Sequence, residues 1–230
     1  MNINKQELYL KMDKLRNFLL SLGLKQPFDI FEICSKIKNV GIETCNFNTR
    51  GFRGMVSLAS YPGDLNCILV NSNLSYVEQN FHGIHELIHI YTSPKNSGQT
   101  FKCYDTVRPN QNSYVEWVAN EGAAELLVSY KMLLPMIKEN YHSMIEDRGT
   151  YEFCEKNASI FAVTPVVLQN RIDSLKYEIY QYMNNTPLNN IKIMSKNDQS
   201  RMGIKVKSLV ELENDRFLEM WENWDWNTIA

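Results

Sequence analysis

The segment Phe81-His82-Gly83-Ile84-His85-Glu86-Leu87-Ile88-His89 sets two histidines four residues apart, with a glutamate directly after the first. Four residues is slightly more than one helical turn, so both imidazoles leave one face of a helix and can share a metal ion. A chain using this pair must hold the segment as a helix, bury one side of it, and bring a third donor from elsewhere. Catalytic zinc usually takes three protein ligands and keeps a fourth position for water. The surrounding pattern meets the first demand. Ser75 and Glu78 form a capping box, and Val77, Phe81, Ile84 and Ile88 recur at helical spacing, which predicts a helix over about 76–91. Ile84 and Ile88 lie on the buried stripe, and each histidine is one residue further round, where a cleft wall would be. Glu86 projects beside them, and its carboxylate can take a proton from a water that the metal activates. The bland reading is a pair of ordinary histidines, but with only four histidines in 230 residues this spacing rarely arises by chance.

Glu116 is the candidate third ligand. It opens Glu116-Trp117-Val118-Ala119-Asn120, near the start of a second helix predicted over about 113–134 from its wealth of Ala, Glu and Leu. Asn120, one turn further on, is suited to accept the ring N–H of a metal-bound histidine and hold its tautomer. Ser113 and Glu116 also read as a capping box, so the local pattern leaves open whether Glu116 holds a metal or only caps its own helix.

The rest of the chain reads as α+β. Leu8, Met12, Leu15, Leu19 and Leu22 form one helical stripe that stops at Gly23, and a short helix carrying Ile30, Ile33, Cys34 and Ile37 ends near Asn39. Segments 42–47, 52–59 and 67–71 suit strands, and turn clusters separate them, so a small, mostly antiparallel sheet of three strands is expected. A strand within 52–59 is the expected cleft edge for an extended peptide. Residues 92–111 read as a long functional or mobile connection. Helical patterns resume beyond Gly149 and run to about 183, a break falls at 184–190, and the tail carries Trp221, Trp224 and Trp226, to which no function is assigned. Four units are expected: an N-terminal helix (1–26), a metal-bearing domain (27–148), a helical subdomain (149–183) and a C-terminal extension (184–230).

A net charge of −2 argues against affinity built on many phosphate contacts. No signal-peptide core and no apolar run long enough to span a membrane is seen, and five scattered cysteines without a CxxC pair read as reduced thiols, so a cytoplasmic location is expected. His142, Tyr104, Tyr114 and Arg108 are each chemically able to stabilise an oxyanion, and the sequence does not choose among them.

From about 27 to 176 the chain resembles the ImmA/IrrE-like metallopeptidases, zinc proteases of gluzincin type. The resemblance runs in order through DIFEICSKIKNVGIET (29–44), FRGMVSLA, CILVNSNL (67–74), FHGIHELIH (81–89) and EWVANEGAAELL (116–127). It implies His85, His89 and Glu116 as zinc ligands and Glu86 as general base; manganese or iron could occupy similar ligands. The chain departs from the commoner FTxAHELGH at His82, Ile84 and Ile88, and Val128-Ser129-Tyr130 replaces a frequent Met-Pro after AAELL, continuing the helix toward Pro135. His82 is read as a support for the ligands or an ordinary, partly exposed histidine. Residues 157–172 look like the family's helix-turn-helix-like element, with Thr164 as N-cap and Pro165 at the first helical position. Within 151–180, three basic residues face four acidic ones, a poor footprint for duplex DNA. The resemblance further implies cleavage of a helix-turn-helix repressor encoded beside the protease on a phage or integrative element. The rival is a non-catalytic module, stabilised by zinc, that binds a repressor or toxin-like partner.

Overall fold

The computed structural model describes residues 3–222, with side chains through 218. Trp224 and Trp226 lie outside the described residues, as does the side chain of Trp221. Helix α1 (Lys5–Ser21) opens on a capping box between Asn4 and Glu7 and buries Leu8, Met12, Leu15 and Leu19. After α2 (Ile30–Lys36) come strands β1 (Val40–Cys45), β2 (Phe52–Ser57) and β3 (Asn66–Asn71), then α3 (Tyr76–Thr92). Strand β4 (Thr100–Tyr104) precedes α4 (Ser113–Leu127), α5 (Tyr130–Glu139), α6 (Tyr141–Met144), α7 (Gly149–Asn157), α8 (Pro165–Ser174), α9 (Lys176–Met183), α10 (Lys196–Arg201) and α11 (Leu209–Glu222).

The sheet departs from the sequence expectation in two ways. It has four strands in the order β1-β3-β2-β4, and it is mixed, because β1 runs parallel to β3 while β2 is antiparallel to both β3 and β4. Strand β4 lies inside the segment expected to be a loop. Its five residues are too few for periodicity to stand out, and their partner β2 lies far away in sequence. Because β2 is flanked on both sides, it has no free edge, and the strand expected to bind a peptide cannot do so by pairing.

Helix α3 crosses the sheet, whose Val56, Ile68 and Val70 meet Ile84 and Ile88 in a core that continues through α1 and α4 into the C-terminal helices. Gly122 sets the closeness of α3 and α4: a β-carbon there would stand 2.9 Å from Ile88 Cγ2. The long helix expected from 113 to 134 is two helices. Val128 leaves helical geometry at φ −116°, ψ 74°, and Ser129 caps the start of α5 by accepting from the Lys131 N–H.

The helix-turn-helix-like element consists of α7, a turn in which Ala162 adopts φ +50°, and α8, capped by Thr164 with Pro165 in its first turn. Arg171 of α8 is buried and reaches into the domain. It donates to Glu121 Oε1 (2.8 Å), to Tyr9 Oη (2.6 Å) and to the Val128 carbonyl (3.0 Å), and it also pairs with Glu125. Arg16 of α1 meets Glu125 as well, and Lys5 bonds Glu178 of α9 at 3.0 Å. The element is thus fastened to α1 and α4 by buried charge.

Candidate metal centre

Helix α3 delivers His85, Glu86 and His89, all essentially sealed from solvent. Ser75 and Glu78 close its first turn reciprocally, which fixes where the helix begins and therefore which way residues 85–89 face. Helix α4 delivers Glu116. That helix is capped by Asn112, whose side chain accepts from the N–H groups of Tyr114 and Val115, so Glu116 is not engaged as a cap. His89 Nε2 lies 3.1 Å from His85 Nε2; Glu116 oxygens lie 3.4 Å from His85 Nε2 and 3.8 Å from His89 Nε2. Donor atoms around one tetrahedral zinc stand about 3.3 Å apart, given zinc–nitrogen bonds of about 2.0–2.1 Å. The three separations bracket that value.

Partners of the remaining atoms point the same way. His85 Nδ1 is 2.9 Å from Asn120 Oδ1, which accepts a hydrogen bond from the Nδ1–H and so turns Nε2 toward His89 and Glu116. The His89 ring lies flat on Phe101 of β4, at 4.4 Å and 3°. Burial and the neighbouring His85 push His89 down to about 2, whereas at His85 burial is outweighed by Cys103, Glu116 and Glu86, which hold that imidazole well above its ordinary value. Both carboxylate oxygens of Glu86 are buried without a hydrogen-bond partner, an expensive arrangement unless something polar belongs beside them. Burial, reinforced by Glu116 and opposed by His85, pushes the Glu86 carboxyl up to about 8. An acid poised near neutrality suits a group that must both take and return a proton. The donor set and the orphaned carboxylate fit a divalent cation.

Gly54 of β2 permits this packing. A β-carbon there would collide with the Leu69 carbonyl at 2.9 Å and lean on Glu86. Beside the centre opens a cleft of about 650 Å³ between α3, α4, β4 and α8, its walls including Arg53, His82, Cys103, Tyr104, Trp117 and Asn120. Of the four oxyanion candidates, Tyr104 lines this cleft. Tyr114 Oη donates instead to the Ile3 carbonyl, Arg108 stacks on the Tyr104 ring and donates to the Arg50 carbonyl, and His142 packs against Tyr141 on α6.

His82, which the sequence left open as a support for the ligands or an ordinary histidine, and Cys103, which it did not single out, also stand at the site. His82 is mostly buried, and its burial, with His85 and Arg53 nearby, pushes it down to about 3. Cys103 Sγ lies 3.5 Å from His82 Nδ1. The HxxH spacing of His82 and His85 was a signal for the first; nothing local marked Cys103, whose approach depends on the pairing of β4 with β2.

A family model described as Peptidase_M78, the IrrE N-terminal-like domain, matches residues 38–173, more than half of the chain and the whole of this site. No curated protein matches the chain.

Proposed function

The chain belongs to the Peptidase_M78 family of IrrE N-terminal-like domains, and from that membership and the buried His85–His89–Glu116 cluster we propose that it is a zinc-dependent endopeptidase acting on a specific protein. The observation that carries the reading is Glu86: a pure binding module has no use for a sealed carboxylate with both oxygens unpartnered beside three metal-type donors. A divalent cation held by His85, His89 and Glu116 would polarise a water and the scissile carbonyl. Glu86 accepts the proton that the attacking water loses and returns it to the leaving amine. Asn120 keeps His85 in the tautomer with a bare Nε2, and Phe101 keeps the His89 ring in plane.

The substrate lies along β4. This strand ends the sheet, and its Lys102 carbonyl already accepts from the Gln111 side-chain amide, as it would from a peptide N–H. The substrate class is a helix-turn-helix repressor linked to a phage or mobile element, a reading that rests on family likeness. Duplex DNA is disfavoured as a partner. Arg171, the cation of α8, is buried and faces inward, which leaves the helix-turn-helix-like element little positive charge to offer a duplex.

The test is incubation with the repressor encoded beside the gene, followed by mass spectrometry of the fragments. The parent with zinc is expected to cut at one position, and chelator or Glu86→Gln to abolish the cut while Glu86→Gln keeps its metal. A stoichiometric complex with the repressor left whole would replace this reading by that of a non-catalytic module.

A further inference from the structure

The 650 Å³ cleft beside the metal centre has a wall, α8, that the proposed chemistry does not use. Two residues of the cleft tie it to the reacting groups. Cys103 Sγ stands within 4.8 Å of a His85 nitrogen and a Glu86 oxygen, and Asn120 bonds His85 at 2.9 Å. Side chains alternate along a strand, so a peptide on β4 turns one of the two that flank its cut bond to the face carrying Cys103, and hence into the cleft. On α8, Val167 and Arg171 are four residues apart and share a face, as do Val166 and Asn170, and all four line the cleft. Arg171 holds this helix against α4 through Glu121 and Glu125, so the wall is fixed. Phe81 and Trp117 line the same space, and the Tyr114 ring backs Trp117 at 5.9 Å. Val166, though apolar, keeps 68% of its surface exposed there. The charged side chains of the cleft are all engaged: Arg53 with Glu78 at 3.5 Å and with Asp105, and Arg171 with Glu121 at 2.8 Å. A charged guest would lose water and find no free counter-ion, whereas an apolar guest would cover two valines and two rings.

We propose that Val166 and Val167, with Phe81 and Trp117, form the pocket that selects the substrate side chain at the scissile bond, and that the side chain selected is large and apolar. The helix-turn-helix-like element is then a wall that reads the substrate. That the guest belongs to a substrate rests on the peptidase reading; the apolar lining and the engaged charges do not. Selection of this kind is coarse, since one methylene in an apolar pocket changes binding by about tenfold or somewhat more. It therefore separates large apolar side chains from small and charged ones, and leaves leucine and phenylalanine close together.

Peptide hydroxamates test the pocket apart from the reaction, because they hold to a bound zinc ion without being cut. A series differing in one side chain, that of alanine, leucine, phenylalanine, lysine or aspartate, is titrated into the zinc-loaded full chain by calorimetry. The parent should bind the leucine and phenylalanine compounds about tenfold or more tighter than the other three. Val167→Asp should abolish that preference and favour the lysine compound. Val166→Asp should shift it the same way at an exposed position, where folding is not at stake, and circular dichroism melts verify that both variants fold. The proposal is overturned if the parent does not distinguish the side chains, or if both variants keep the parent's order of affinities. Cleavage of the repressor is read separately. An order as expected with the repressor left whole supports the pocket and removes the hydrolytic reading, while a cut repressor with hydroxamates that all bind alike overturns the pocket and leaves hydrolysis standing.

Discussion

At the scale of single residues, Asn120 decides which nitrogen of His85 faces His89 and Glu116. Its Oδ1 accepts a hydrogen bond from the Nδ1–H, so Asn120→Ala leaves the ring free to rotate and to change tautomer. Zinc affinity, measured by competition with a chromophoric chelator, is expected to fall by about 10–100-fold while the thermal melt of the metal-free protein moves little. Unchanged affinity would sink the role given to Asn120. Much of this site was legible in the sequence because its logic is local: the spacing of His85 and His89 on a helix depends on helix geometry alone. Glu116 was less legible, since a carboxylate three residues after a serine reads equally as a cap. Only the fold reveals that Asn112 caps the helix and frees Glu116. Cys103 left no trace, as its importance comes from a strand pairing that joins distant segments.

At the scale of elements, the centre depends on how closely two helices approach. Gly122 faces Ile88 with no room between them, and Met12 Sδ lies 3.4 Å from where its β-carbon would be. Gly122→Val would wedge α4 away from α3 and carry Glu116 away from the histidines. The expected cost is about 1–3 kcal/mol in denaturant unfolding together with weaker zinc binding. A variant that loses stability but binds zinc as the parent does would show that Glu116 is not positioned through this contact. Capping boxes and apolar stripes made α1 and α3 readable, since both signals lie within one turn of the ends or along one face. The break at Val128 was not readable. It falls in a run of good helix formers and is imposed by tertiary contacts, among them the hydrogen bond from Arg171 to the Val128 carbonyl and the Ser129 cap. The mixed sheet escaped for a similar reason: pairing direction is a property of the assembled strands.

At the scale of the whole molecule, buried charge joins the ends of the chain to its middle. Arg171→Met would leave Glu121 and Glu125 without their main counter-ion, at an expected cost of about 3–5 kcal/mol near neutral pH. The sign of its pH dependence follows from Glu121. Burial works to raise that carboxyl, but Arg171 and Lys5 outweigh it and hold it below the ordinary range. A depressed carboxylate contributes stability that is present above its unfolded value, about 4.3, and is lost as pH falls through the folded one. The deficit of Arg171→Met is therefore expected to shrink as pH is lowered toward 4, as read from urea unfolding at several pH values. A deficit that stays constant across that range would mean that the arginine acts through packing alone. The same charges bear on which pieces of the protein can live apart. The span that carries the peptidase signature, 38–173, contains Glu121, Glu125 and Arg171 but excludes Lys5, Tyr9, Arg16 and Glu178. Excised at those limits it would strand interior ions and bare the flank that α1 covers, so the smallest autonomous unit of this chain is expected to reach back to its first helix.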